Sequence, residues 1–132
     1  MAVVILGVAL ISISYFFSQG RASIEAFGRT RCGLALAQEK MEALKDLEFA
    51  HADLDLITHS DRVDASGQPA VEGVFFRQWM VTPVADPANG TGEAMDYKLV
   101  DVRIYDQRLD PDSGELNDPD KLVAHLTSYI SP

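Results

Sequence analysis

Three histidines, one cysteine and a run of carboxylates are the side chains in this 132-residue sequence best suited to catalysis or metal binding. His51, His59 and His125 lie far apart, and none has a partner at the spacing of a zinc site. Cys32 alone allows neither a cysteine-based metal pattern nor an internal disulfide. Between Arg31 and Gly33 in a helical stretch, it reads as a small buried helix residue. No nucleophile elbow and no phosphate-binding loop occur. Asp110-Pro111-Asp112-Ser113-Gly114-Glu115 sets acidic oxygens at alternate positions, as calcium loops do, so Asp110 and Asp112 are the metal candidates. Gly114 comes one residue too early for an EF-hand loop and the closing bidentate glutamate is missing, so a solvated hairpin is expected there. The remaining carboxylates of the second half, among them Asp101, Asp106, Asp118 and Asp120, read as water-exposed and beyond tuning by burial for acid or base work. The expectation is a protein that is not an enzyme, with no cofactor and no small-molecule substrate.

Twenty acidic against eleven basic residues give a formal net charge of −9. Phosphate backbones are held by stripes of Lys and Arg, so nucleic acid is not expected as a partner. The length allows one domain.

A rod and a head would have to position any site. No proline interrupts Met1 to Phe49, so this segment can form one helix of roughly 70 Å at 1.5 Å per residue. Residues 1–20 are its hydrophobic half. Ala2 to Phe17 carries no charge, but at about 16 residues it falls short of the ~20 that cross a hydrocarbon core, and extension to Gly20 approaches that limit. A secretory signal would need a basic start and a small-x-small cleavage site, and neither is found around Phe16-Phe17-Ser18-Gln19-Gly20. As an ordinary anchor, the run would be followed by Arg21, Arg29 and Arg31, which hold a head on the cytoplasmic side. The third reading is the hydrophobic half of a longer filament-forming helix. Residues 21–49 are the amphipathic half: Ile24, Phe27, Leu34, Ala37, Met41 and Leu44 recur at helical spacing, with Glu39, Lys40, Glu42, Lys45 and Asp46 on other faces. Phe27, Leu34, Ala37, Met41 and Leu44 are the expected helix side of a core.

The head spans residues 50–132. Residues 50–70 read as a polar connector of loop with a short helical turn, and residues 71–132 as a β-meander. Three strands are predicted: Val71 to Val84, with Phe75, Phe76 and Trp79; Tyr97 to Asp106, with Val100, Val102 and Ile104 on one face; and Leu122 to Ile130, with Leu122, Ala124, Leu126 and Ile130 inward. Asp86-Pro87-Ala88-Asn89-Gly90-Thr91-Gly92 suits a hairpin turn, and Leu109 to Lys121 a longer acidic excursion. Trp79, Val100, Val102, Ile104 and Leu126 are the expected sheet side of the core. The fold class expected is α+β, a long N-terminal helix packed on a small antiparallel sheet.

Ala35-Leu36-Ala37-Gln38-Glu39-Lys40-Met41-Glu42-Ala43-Leu44-Lys45, preceded by a Val/Ile/Leu-rich start and by Arg29-Thr30-Arg31, resembles the minor pilin and pseudopilin superfamily. Within it the chain is most similar to PilV-type minor pilins of type IV pili and GspI-type pseudopilins of type II secretion. The resemblance covers the first 48 residues well and the strand order more loosely. It departs in lacking the basic leader, the Gly-Phe-Thr-Leu-type cleavage motif and the early glutamate, which points to Met1 as an internal residue of a shortened chain. Leader cleavage and N-methylation belong to what the family implies.

The resemblance implies a structural subunit held in the bacterial inner membrane by a single pass, with its head in the periplasm, that then enters a filament with other minor subunits and the major subunit. It would take part in priming or assembly at the tip. Val3, Val4, Ile5, Leu6, Val8, Leu10, Ile11, Ile13 and Phe17 would form the packing surface, with Gly7 among the small residues that let helices approach. The alternative, from a different class, is a single-pass anchored binding module that does not polymerise.

Overall fold

A computed structural model describes residues 2–85, 97–109, 112 and 114–131, with the helical backbone alone for residues 2–11. Helix α1 runs unbroken over Ala2–Lys45. A 3-10 turn, Ala52–Leu54, follows, capped by His51, whose Nδ1 accepts from the Asp53 N–H at 3.1 Å. Four strands come next: β1 Thr58–Val63, β2 Phe75–Val84, β3 Tyr97–Asp106 and β4 Leu122–Ile130. A second 3-10 turn, Pro119–Lys121, leads directly into β4. The strands pair in sequence order β1-β2-β3-β4, every pair antiparallel. The chain is therefore α+β, one long helix laid on a four-stranded meander.

Side-chain alternation explains the core. The pairs Val63↔Phe75, Trp79↔Val102, Val81↔Val100 and Arg77↔Ile104 put these residues on one face of the sheet. That face meets Leu36, Ala37, Met41 and Leu44 of α1, all buried, together with Leu54 and Ile130. Gly33 sets the distance between layers. A Cβ there would lie 2.7 Å from Val123 Cγ2, so the helix lies as close to β4 as its missing side chain permits. Between β1 and β2 the chain turns at Asp64–Gly67, where Gly67 takes φ +84° and Asp64 accepts from both the N–H and the hydroxyl of Ser66.

The structure corrects several expectations. The connector 50–70 contains strand β1, whose inward residues His59 and Asp61 are polar and so hid its alternation. The next strand begins at Phe75 rather than Val71, which is exposed. Leu122 is exposed instead of inward because the β3–β4 register shifts between Ile104 and Tyr105. Ile104 faces Ala124 while Tyr105 faces Leu122, leaving Val123 as the extra residue. Phe27, 72% exposed, and Leu34, also exposed, do not join the core. Ala37, Met41, Leu44, Trp79, Val100, Val102 and Ile104 are buried as expected, and Leu126 is partly buried against them. The turn expected at Asp86–Gly92 lies outside the described residues.

Candidate interaction site

The part of α1 that rises clear of the sheet carries the most exposed apolar surface. Ile13, Phe16, Phe17, Ile24 and Phe27 are all exposed, Phe16 at 75%, and Gly20 falls in line with them with open space around it. At 3.6 residues per turn these positions form one stripe, and it is rotated by roughly 115° about the helix axis from the face of Gly33, Ala37, Met41 and Leu44. The stripe is thus a second apolar face, not a continuation of the first, and this is why Phe27 and Leu34 miss the head. A shallow depression of about 410 Å³ lined by Ile13, Phe16, Phe17, Gly20, Arg21 and Ile24 runs along it. Arg21 and Glu25 lie to one side of the stripe.

The polar groups of the head are tied up in fixing that head. Lys40 stands over one face of the Trp79 ring, 3.8 Å from its centroid, and lies 3.7 Å from Asp53. Burial, with Arg77 nearby, pushes its ammonium below the usual lysine range. His59 is stacked on Trp79 at 5.2 Å, and the indole N–H donates to the Asp53 carbonyl at 3.0 Å. Arg77, buried in the sheet, donates twice to Asp61 at 2.9 and 2.6 Å. Lys98 donates to the Phe49 carbonyl and Lys121 to that of Glu115, closing the ends of the head. Asp106 is fully buried, contrary to the exposed reading. Burial opposes its charge, but the side-chain and backbone hydrogen bonds from Arg108 outweigh this and hold the carboxyl below its ordinary value.

No catalytic arrangement comes together from the sequence candidates. His51 caps a turn, His59 stacks on Trp79, and His125 lies on the outer face of the sheet, 2.8 Å from Asp101. Cys32 is only partly buried, with its Sγ 3.6 Å from the Ala65 carbonyl. Asp112 is exposed in a turn, and Asp110 lies outside the described residues. Among the described residues no group of three His, Cys, Asp or Glu could hold a metal ion. Of the predicted packing surface, Ile13 and Phe17 are exposed. Val3, Val4, Ile5, Leu6, Gly7, Val8, Leu10 and Ile11 lie on α1, with side chains outside the described set.

One expectation is overturned. Among the described residues no helix is long and apolar enough to cross a membrane. The charge-free run of α1 ends at Gly20, and Arg21, Glu25, Arg29 and Arg31 follow it on the same helix. The expected single-pass inner-membrane anchor with a periplasmic head is contradicted by this finding.

Sequence reasoning missed Lys40, Lys98, Arg77 and Asp106 as interior groups. Strand parity could have found three of them: Lys98 and Asp106 share alternation with Val100, Val102 and Ile104, and Arg77 with Phe75 and Trp79. No protein-family model matches the chain, and no curated protein or solved structure proves significantly similar to it.

Proposed function

We propose that this chain is a non-enzymatic structural subunit of a pilin-like filament, a minor pilin or pseudopilin of a type IV pilus or type II secretion system that helps to prime or assemble it. Its partners would be other minor subunits and the major subunit. One observation carries the reading: α1 has two apolar faces, one spent on its own head and one, Ile13 to Phe27, left bare. Surface helices of a self-sufficient domain bury their apolar stripe. A bare stripe of aromatic and branched residues broken by a glycine suits a second helix, which can approach closely at Gly20. The likeness of residues 35–45 to the pilin superfamily points the same way.

A photo-crosslinking residue at Phe17, in the cell that makes the protein, tests this. Crosslinks to the helix of another filament subunit are the expected result. If the position captures no protein although the chain is present and folded, the subunit reading fails.

A further inference from the structure

The two edges of the sheet differ. Edge β1, Thr58-His-Ser-Asp-Arg-Val63, carries Asp61 and Arg62, and just beyond it Val63 is bridged to Pro69. Charges and a proline near an edge are the usual guards against pairing with another chain. Edge β4, Leu122-Val-Ala-His-Leu-Thr-Ser-Tyr-Ile130, has no Asp, Glu, Lys, Arg or Pro, is nine residues long, and exposes Leu122 and Tyr129. Among the described residues its only strand neighbour is β3, so the outward backbone groups of alternate residues have no backbone partner. An open groove of about 330 Å³ flanks it, lined on the strand by Leu126, Thr127 and Ser128 and on the helix by Gln38, Met41, Glu42 and Lys45.

From this we infer that β4 pairs with β4 of a second copy, antiparallel and about a two-fold axis near Leu126, to make one eight-stranded sheet. A two-fold interface must be complementary to itself. The strand meets that condition along its regular stretch beyond the bulge: about Leu126, small Ala124 falls opposite Ser128 on the inner face and His125 opposite Thr127 on the outer one. The helix flank meets it too. α1 follows β4 in the same sense, with Gly33 against Val123 and Gln38 to Lys45 beside Leu126 to Ser128. Two-fold related helices therefore run antiparallel, bringing Glu42 of each copy toward Lys45 of the other. Both side chains are exposed and have no ion-pair partner among the described residues. A charge-free edge also lets two chains of net charge −9 meet where no acidic groups oppose each other. The bare stripe of α1 stays outside this contact, so the pair does not depend on the filament reading.

Disulfide trapping on the full-length chain tests the pair. With Cys32→Ser as background, Leu126→Cys should place two thiols close enough to bond across the axis, whereas Ser60→Cys on the guarded edge should not. Roughly tenfold more disulfide-linked dimer is expected at position 126 than at 60, and Thr127→Lys, a charge on the edge, should return that yield to the level of the control. Should Leu126 be a poor site for substitution, nitroxides at Thr127 give a second reading, a short distance between copies. Equal yields at 126 and 60, yield unaffected by Thr127→Lys, or no short distance between labels each overturns the inference. None of these results bears on the photo-crosslink from Phe17, so the two ideas fail separately.

Discussion

The two ends of α1 are made of similar residues and meet opposite fates. From Gly33 to Leu44 one face, with Leu36, Ala37, Met41 and Leu44, closes against the sheet. Leu44 and Ala37 are entirely buried. From Ile13 to Phe27 residues that are equally apolar stand in the open. The difference lies in phase, not composition: the second stripe points elsewhere around the helix. Apolar content thus marks a surface that wants a partner, while phase decides whether that partner is the chain's own head.

The contrast is sharpest in stability. Leu44→Ala should cost about 3 kcal/mol in urea unfolding through the cavity it leaves, whereas Phe17→Ser should change head stability by no more than about 0.5 kcal/mol. A comparable loss at Phe17 would mean that the stripe is covered by the head after all. Trp79→Ala should lie at or above the Leu44 value, since it also frees Lys40 and His59.

A smaller effect is expected at the end of β3. Arg108→Ala leaves Asp106 buried with a lost ion pair; because the guanidinium is half exposed and the Arg108 N–H still donates, about 2 kcal/mol is expected. The folded pKa of Asp106 is depressed, so its contribution is complete above about pH 4 and fades as pH falls through that lower value. Asp106→Asn should therefore lower stability at neutral pH and flatten the acid limb of the curve. An unchanged acid limb in a folded variant would remove Asp106 from the account.

The smallest effect separates the helix by its glycines. Gly33→Ala must push Val123 or the helix itself, and a net loss of about 1 kcal/mol is expected after the gain in helix propensity. Gly28→Ala meets nothing within 4 Å and should stabilise the chain by up to about 1 kcal/mol. The same sign at both positions, in thermal melts of the two variants, would erase the distinction between packed and projecting helix.

Much of this was legible in the chain, and the misses are physical. Val100, Val102 and Ile104 show a period of two because successive residues of β3 alternate between core and outer face, and this periodicity identifies the strand. β1 was not, since its inward positions answer Arg77 and Trp79 with Asp61 and His59 rather than with apolar side chains. Leu122 lies on the face opposite to that its spacing implies because a bulge shifts the parity of its end of the strand, and no residue type announces a bulge there. Phe27 and Leu34 fit a helical period, yet they belong to a different stripe from Ala37 and Leu44.

The sequence by itself determined the secondary structure of the rod, the α+β class and most of the inward residues of β2 and β3. These follow from local periodicity, which each segment carries alone. Only the tertiary structure decided which apolar stripe meets the sheet, that Lys40 packs over Trp79, and that β4 is the unguarded edge. Each of these depends on how far a neighbouring element extends and at what angle it lies, and that is a property of the packed layers, not of any one segment.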